Sequence, residues 1–304
     1  MGIFIMIKQR SLFFVFLFLL LGSLVLWRST EYIFLIAGMG MAAGFLGGIS
    51  GVAGAPFLIA FLTLFLGYTQ HAAQGTVLAM MLGPMSIMTV VNEWRLVRSR
   101  LTLLVACIVG YMVFSWLGAS VAYMVDNMLL KKLFGMLLVV IGGGYAARLP
   151  GKPERKAFRL PLSVIMFFLS GCVIGFIGGM FGVGAGILLI PMLTILFGLD
   201  LHEARVLSLA VLCPPVSIGA VIRYMYGGRN QALFDAHTVD LVKSFFSGNG
   251  SDVKWEVAIV LLLSYILLNG IGAHWGKLRN DDTMKIIFGI LLIVTGIINI
   301  AVIH

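Results

Sequence analysis

The stretch GFLGGISGVAGAPFLIAFLTLFLGYTQHAAQ, residues 44–74, has a second copy, GFIGGMFGVGAGILLIPMLTILFGLDLHEAR, at residues 175–205. When the chain is aligned with itself at an offset of 131 residues, positions 44–87 and 175–218 share 18 identities in 44 positions. Chance would give roughly a tenth in so apolar a chain. The pattern therefore predicts an internal duplication centred on two glycine-rich stretches.

The composition is that of a membrane protein with several spans. Of the 304 residues, 61% are hydrophobic and 11% are charged, and the mean hydropathy is +1.08. A soluble domain carries charge on about a quarter of its residues. The apolar runs are too long for the alternating strands of a membrane barrel, so we predict an all-α protein embedded in the lipid bilayer.

The formal net charge of +9 arises mainly from Lys and Arg residues in short loops between apolar runs. In a membrane protein such residues are the orientation signal, so we expect no nucleic acid as a partner. Basic residues cluster at Arg95–Arg100, in the linker 148–160 and at 277–285. We place all three on the cytoplasmic side.

The duplication divides the chain into four parts. These are an N-terminal transmembrane span at 1–30, a first repeat at 31–147, a basic cytoplasmic linker at 148–160 and a second repeat at 161–304. Beyond the glycine stretches the repeats align at an offset of 154 residues, through pairs such as Tyr111 and Tyr265. The offset grows because the second repeat carries a polar insertion at about 224–254, in which 235–246 is a candidate surface helix.

A full crossing needs about 20 apolar residues, and on that basis we predict five segments in each repeat. They lie at 32–48, 56–67, 71–92, 101–125 and 129–147, and at 160–181, 187–198, 202–225, 255–278 and 283–303. The second segment of each repeat is short, so it is a half-helix or one arm of a re-entrant hairpin. Five crossings per repeat would leave the N-terminus cytoplasmic and the repeats inverted, as in many secondary transporters. Re-entrant segments would instead make the repeats parallel.

The glycine-rich stretches predict a binding site for an anion. In hydrocarbon, a broken helix survives only where it lines a wet cavity or is covered by protein. Each stretch precedes a short helix whose first N–H groups lack partners and whose dipole is positive at that end. Two such ends facing each other would form a nest of donors suited to an oxyanion. The glycines predicted to line it are Gly47, Gly48, Gly51, Gly54, Gly178, Gly179, Gly182, Gly184 and Gly186.

An alternative is that these glycines only let two helices approach closely. Polar side chains near the breaks are further candidate ligands, because polar groups in spans usually face the bundle interior. They are Ser50, Thr76, His202, Arg205 and Ser208. Their alternatives are a cap or hinge contact for the histidine, an interfacial anchor for the arginine, and hydrogen bonds to their own backbone for the hydroxyls.

The pattern Gly-Phe-x-Gly-Gly-x-x-Gly-Val-Gly-x-Gly from Gly175, followed by Pro191, His202 and Ser-Leu-Ala at 208–210, resembles the TauE/SafE sulfite exporter family, also called the 4-toluene sulfonate uptake permease family. The first repeat carries a variant of it from Gly44 to Gly54. The resemblance implies a transporter of the bacterial inner membrane that moves sulfite, sulfoacetate or other organosulfonates. Export is the favoured direction, by alternating access around the paired half-helix ends, and a homodimer is left open.

Other classes of protein fit the sequence less well. The chain has no glycine-lysine nucleotide motif, so any coupling is to a proton or ion gradient. Cys107, Cys172 and Cys213 lack paired spacing, so neither a zinc site nor another cofactor is predicted. An anion channel or a membrane assembly factor is the alternative. A rhomboid-like protease with Ser50 as nucleophile and His274 as base is a remote one, because Phe181 replaces the serine in the second copy.

Overall fold

The computed structural model describes residues 33–50, 54–146, 160–226, 252–278 and 281–301. The predicted N-terminal span, the basic linker up to residue 159 and the candidate surface helix lie outside these residues, as does Gly51. In the described ranges the chain forms thirteen α-helices and no strand. The predicted all-α fold is therefore confirmed.

The helices follow one another with short connections, and we number them in chain order. They are α1 Ile33–Ser50, α2 Ala55–Leu64, α3 Gln70–Met80, α4 Ile87–Asn92, α5 Trp94–Ser99, α6 Leu101–Ala122, α7 Asn127–Ala146, α8 Leu160–Phe181, α9 Gly186–Leu196, α10 Leu201–Val211, α11 Ile218–Met225, α12 Trp255–Leu278 and α13 Asp281–Ala301. In each half of the chain, one long helix is followed by several short helices and then by two long ones.

Within the described ranges, five helices are long and apolar enough to cross a membrane. Their qualifying stretches are Ile33–Ser50, Leu101–Ala122, Asn127–Ala146, Ser163–Phe181 and Trp255–Trp275. Apolar side chains such as Phe34 and Val140 are exposed along them, as expected of surfaces that face lipid. The shorter apolar helices include α2 and α9, which are the short second segments that the sequence predicts.

The third segment of each repeat differs from the prediction of one continuous helix. The chain at 71–92 is divided between Met80 and Ile87, and the chain at 202–225 is divided between Val211 and Ile218. Proline explains both breaks, since it lacks an N–H donor and its ring clashes with the preceding turn. Pro84 lies in the first break, and Pro214 and Pro215 lie in the second.

Corresponding helices begin at the positions that the duplication predicts. The starts of α2, α3 and α4 precede those of α9, α10 and α11 by 131 residues, and the starts of α6 and α7 precede those of α12 and α13 by 154. These agreements support the duplication. The inversion of one repeat relative to the other stays a prediction.

The long helices pack across the two halves of the chain. Helix α1 packs along α12, α6 packs along α8, and α7 packs along α13. Glycines permit these contacts, because a Cβ atom on Gly44 would meet the carbonyl of Tyr265, and one on Gly175 would lie 2.5 Å from the carbonyl oxygen of Tyr111. Small residues at helix contacts bring backbones together in membrane proteins. The hydrophobic core therefore contains residues of both halves.

Two serine hydrogen bonds join the proline breaks to the opposite half. The Ser86 hydroxyl donates to the carbonyl of Leu209 over 2.6 Å, and the Ser217 hydroxyl donates to the carbonyl of Leu78 over 3.0 Å. Both serines are fully buried. The two bonds correspond under the duplication, because donor and acceptor are each displaced by 131 residues.

We expect Ser217→Ala to lower the free energy of unfolding by about 1–3 kcal/mol, because it leaves a buried carbonyl without its donor. Ser120→Ala is the matched control, since the Ser120 hydroxyl bonds the carbonyl of Trp116 in its own helix. Thermal unfolding of the purified protein in detergent measures both variants. Equal melting temperatures for the two would show that the bond between the halves adds nothing to stability.

Candidate functional site

Glycines with left-handed backbone precede both short apolar helices. Gly54 precedes α2 with φ 64°, and Gly182 and Gly184 precede α9 with φ of 70° and 72°. Only glycine adopts such angles readily. The hydrogen-bond ladder of α8 ends where the Gly182 N–H donates to the carbonyl of Gly178, and the first N–H groups of α9 have no partner within that helix.

The second glycine turn lies against the first half of the chain. A Cβ atom placed on Gly182 would be 3.0 Å from Cδ1 of Ile59 and 3.1 Å from Cα of Gln74. Ile59 is four residues past the start of α2, which corresponds to about 6 Å along the helix. The Gly182 turn therefore contacts α2 about one helical turn after the start of that helix.

The glycine pairs at the ends of α1 and α8 have a packing role. A Cβ atom on Gly48 would meet the carbonyl of Asn269 in α12, and one on Gly179 would meet the carbonyl of Ser115 in α6. Gly47 and Gly178 are buried in the same last turns. Gly48 and Gly179 therefore let neighbouring helices approach closely, which was the alternative to a binding role. The turns themselves are made by Gly54, Gly182 and Gly184.

A small cavity brings several of the predicted ligands together. It is lined by residues of α1, α4, α10 and α12, namely Gly48, Ile49, Thr89, His202, Arg205, Val206, Leu209 and Ala273. Arg205 is 8% exposed, so its guanidinium is a positive charge held largely within the protein. A cation in such surroundings attracts an anion strongly, because water screens it little.

Two side-chain contacts lie at the start of α10, where His202 lines the cavity. The His202 side chain is 49% exposed, and its Nε2 lies 3.8 Å from Oε1 of Glu93. The neighbouring residue, Glu203, forms an ion pair with Arg100 over 3.3 Å. The cap of α10 is Asp200, whose carboxylate accepts from the Glu203 N–H, so His202 does not cap the helix.

The three predicted hydroxyl ligands are placed differently from one another. The Ser50 hydroxyl donates to the carbonyl of Leu46 within its own helix over 2.7 Å. This is the alternative role of a hydroxyl group, a hydrogen bond to its own backbone. Thr76 is fully buried and accepts from the backbone N–H of Lys254 over 3.1 Å. Ser208 is fully buried on α10, one turn after Arg205.

The last of the predicted glycines, Gly186, is the first residue of α9.

Sequence reasoning missed Gln74 and Gln70, which lie one turn apart on α3. Gln74 is fully buried against Gly182, and the Tyr224 hydroxyl donates to its Oε1 over 2.8 Å. A signal was available, because Gln74 aligns with Arg205 in the duplication. A second signal was the amide of Gln74 inside the predicted segment 71–92, where polar groups are rare.

Comparisons with known proteins show which family the sequence matches. The family model described as Sulfite exporter TauE/SafE matches residues 3–142 and, in a second match, residues 36–298. A probable membrane transporter protein of Methanocaldococcus jannaschii is 25% identical over 190 residues, or 61% of this chain. The match spans 63% of the length of that relative. No solved structure matches the chain significantly.

Proposed function

This chain belongs to the Sulfite exporter TauE/SafE family, and from that membership we propose that it moves small sulfur-containing oxyanions across the inner membrane. Sulfite, sulfoacetate and other organosulfonates are the candidate substrates, and export is the favoured direction. The family match and the relative's description support a membrane transporter rather than an enzyme. The substrate, the direction and the membrane are the proposed parts.

The observation that carries the proposal is the buried turn at Gly182 beside Gln74. The glycine turn leaves backbone N–H groups at the positive end of α9, and an oxyanion is the kind of ligand that such an end attracts. Gln74 adds an amide at the same place. Arg205 stands at the corresponding position of the other half and supplies a positive charge.

The arrangement supports binding of a small anion between the two halves. Oxyanions accept hydrogen bonds from backbone N–H groups, amides and guanidinium groups, and the described residues offer all three. The site contains polar groups that an apolar solute would leave unpaired. Alternating access then requires the Arg205 side and the Gln74 side to open in turn, driven by a proton or ion gradient.

Uptake by proteoliposomes tests the proposal directly. Vesicles containing the full chain are loaded with sulfite, sulfoacetate, a longer sulfonate or sulfate, and flux is followed in both directions under a defined pH gradient. We expect at least one sulfur oxyanion to move well above the rate of protein-free vesicles, and the gradient to change that rate. Flux equal to that of protein-free vesicles for every anion would contradict the proposed function.

A further inference from the structure

We propose that Gln74 and Gln70 form a second, uncharged subsite for the oxyanion, on the opposite half from the Arg205 subsite. The inference rests on the proposed function, because it assigns residues to the same anion. It adds a binding site on α3 and predicts that the two halves hold the anion with unequal strength.

The Gln74 amide is fixed in orientation and still has hydrogen-bonding capacity. Its Oε1 accepts from Tyr224, whose hydroxyl oxygen also lies 3.3 Å from the carbonyl of Met180 and 3.4 Å from that of Gly179. These carbonyls belong to the last turn of α8, immediately before the Gly182 turn. The Nε2 of Gln74 is buried and has no hydrogen-bond partner in the described part of the chain.

Gln70 lies one turn earlier on α3, so the two side chains share a face of the helix. It is 3% exposed, and neither its Nε2 nor its Oε1 has a partner among the described residues. Buried amide groups are nearly always hydrogen-bonded, because leaving them unpaired is unfavourable. Two unpaired amides on one helix face beside a glycine turn are therefore expected to meet a polar ligand.

The chemistry of these groups suits an oxyanion. The two side-chain amides together carry four N–H donors, of which none has a partner in the described residues, and the Gln70 carbonyl can accept from a protonated oxyanion or from an accompanying water. Gln70 aligns with Leu201 and Gln74 with Arg205, so the corresponding face of α10 has a cation and an apolar residue instead. The duplication has therefore produced two unlike subsites.

Unequal binding follows from this difference in charge. Both subsites offer hydrogen bonds to an ionised acceptor, but Arg205 adds the Coulomb attraction of a full positive charge that water screens little. An anion is therefore held more tightly beside Arg205 than beside the glutamines. Release is faster from the α3 side.

The experiment compares sulfite binding by calorimetry with sulfite flux, using the full chain in detergent and in proteoliposomes. Gln74→Met keeps the side-chain volume and removes the amide, and we expect it to raise the Kd by about five- to tenfold. Gln70→Met is also expected to raise the Kd for sulfite. Thr63→Val is the matched control, because the buried Thr63 hydroxyl bonds only carbonyls of its own helix.

Gln74→Arg distinguishes a ligand from a structural amide. Tyr224 can then donate to Met180 instead, and the corresponding position already accommodates Arg205. We expect a lower Kd for sulfite together with a slower maximal flux, because the anion leaves a charged subsite slowly. If the Gln74 amide had only a structural role, Gln74→Met and Gln74→Arg would both bind sulfite more weakly than the wild type or not at all.

The outcomes separate this inference from the proposed function. If the wild type neither binds nor moves any sulfur oxyanion, the proposed function fails and the subsite fails with it. If the wild type binds sulfite and Gln74→Met and Gln70→Met bind it equally well, only the subsite is overturned. Should Gln74→Met not fold, Gln74→Asn, whose amide is displaced by one methylene, takes its place, and an unchanged Kd has the same meaning.

Discussion

Replacing Gly182 with leucine is expected to reduce oxyanion flux by about 100-fold or more while the protein still reaches the membrane. Gly182 has φ 70°, and a Cβ atom at this position would lie 3.0–3.1 Å from Ile59 and Gln74. A side chain there is strained by about 1–2 kcal/mol and also displaces the Gln74 backbone on which the site depends. Flux in proteoliposomes, with the amount of folded protein measured by size-exclusion chromatography, gives the result.

Gly67 provides a matched control for backbone strain. It has φ 65°, yet a Cβ atom there would meet nothing within 4 Å. Gly67→Ala therefore introduces the left-handed strain without the contact, and Gly182→Ala introduces both. Similar flux in the two alanine variants would show that the Gly182 turn is not special. Gly51→Leu, which lies outside the described residues, is expected to resemble Gly182→Leu because the two glycines correspond in the duplication.

Arg205→Gln is expected to raise the KM for oxyanion flux by about 10- to 100-fold, since a charge-assisted hydrogen bond contributes about 1.5–3 kcal/mol. The substitution also gives both halves the same residue, because Gln74 stands at the corresponding position. Arg205 is largely buried at the cavity, so salt in the medium screens its charge little. Initial rates over a range of substrate concentrations measure the effect.

Arg98→Gln is the control for the loss of one positive charge, because Arg98 is exposed in α5. Arg205→Lys keeps the charge but loses the planar guanidinium, and an intermediate KM is expected. A KM for Arg205→Gln that equals that of Arg98→Gln would remove Arg205 from the binding site. The cavity would then be a feature of packing.

The membrane class and the helical fold could be predicted from the sequence because the hydrophobic runs that indicate them are long. A hydrophobic run of about 20 residues is hard to mistake for anything but a span. The family was predicted from the glycine pattern and its repetition, and the match to the family model confirms it. The short helices α2 and α9 were also foreseen, since the glycines preceding them break a helix and a short apolar run follows.

The breaks in the third segments were not foreseen, although the responsible residues are visible. Pro84 and the pair Pro214-Pro215 lie inside apolar runs of a length that suits one span, and that length by itself favours a continuous helix. In a membrane, proline can also produce only a kink. Whether such a proline bends or ends a helix depends on partners elsewhere. Here the Ser217 hydroxyl reaches a carbonyl of the other half.

The site was predicted only in part, because its composition depends on contacts between the halves. The sequence predicts that the glycine stretches interrupt the helices, but it could not separate Gly48, which packs against α12, from Gly182, which forms a turn. Gln74 was missed because its importance comes from its contact with Gly182 across the duplication. Its alignment with Arg205 and its amide within an apolar segment are the two hints that the sequence offers.

The cavity beside Arg205 and the Gly182 turn beside Gln74 are the two places where a small oxyanion is expected to bind. An anomalous difference map from crystals containing selenite, the selenium analogue of sulfite, tests this most directly. A selenium peak is expected within hydrogen-bonding distance of Arg205, of Gln74 and the Gly182 turn, or of both. A peak from transported selenite that lies away from both places would show that neither of them binds the anion.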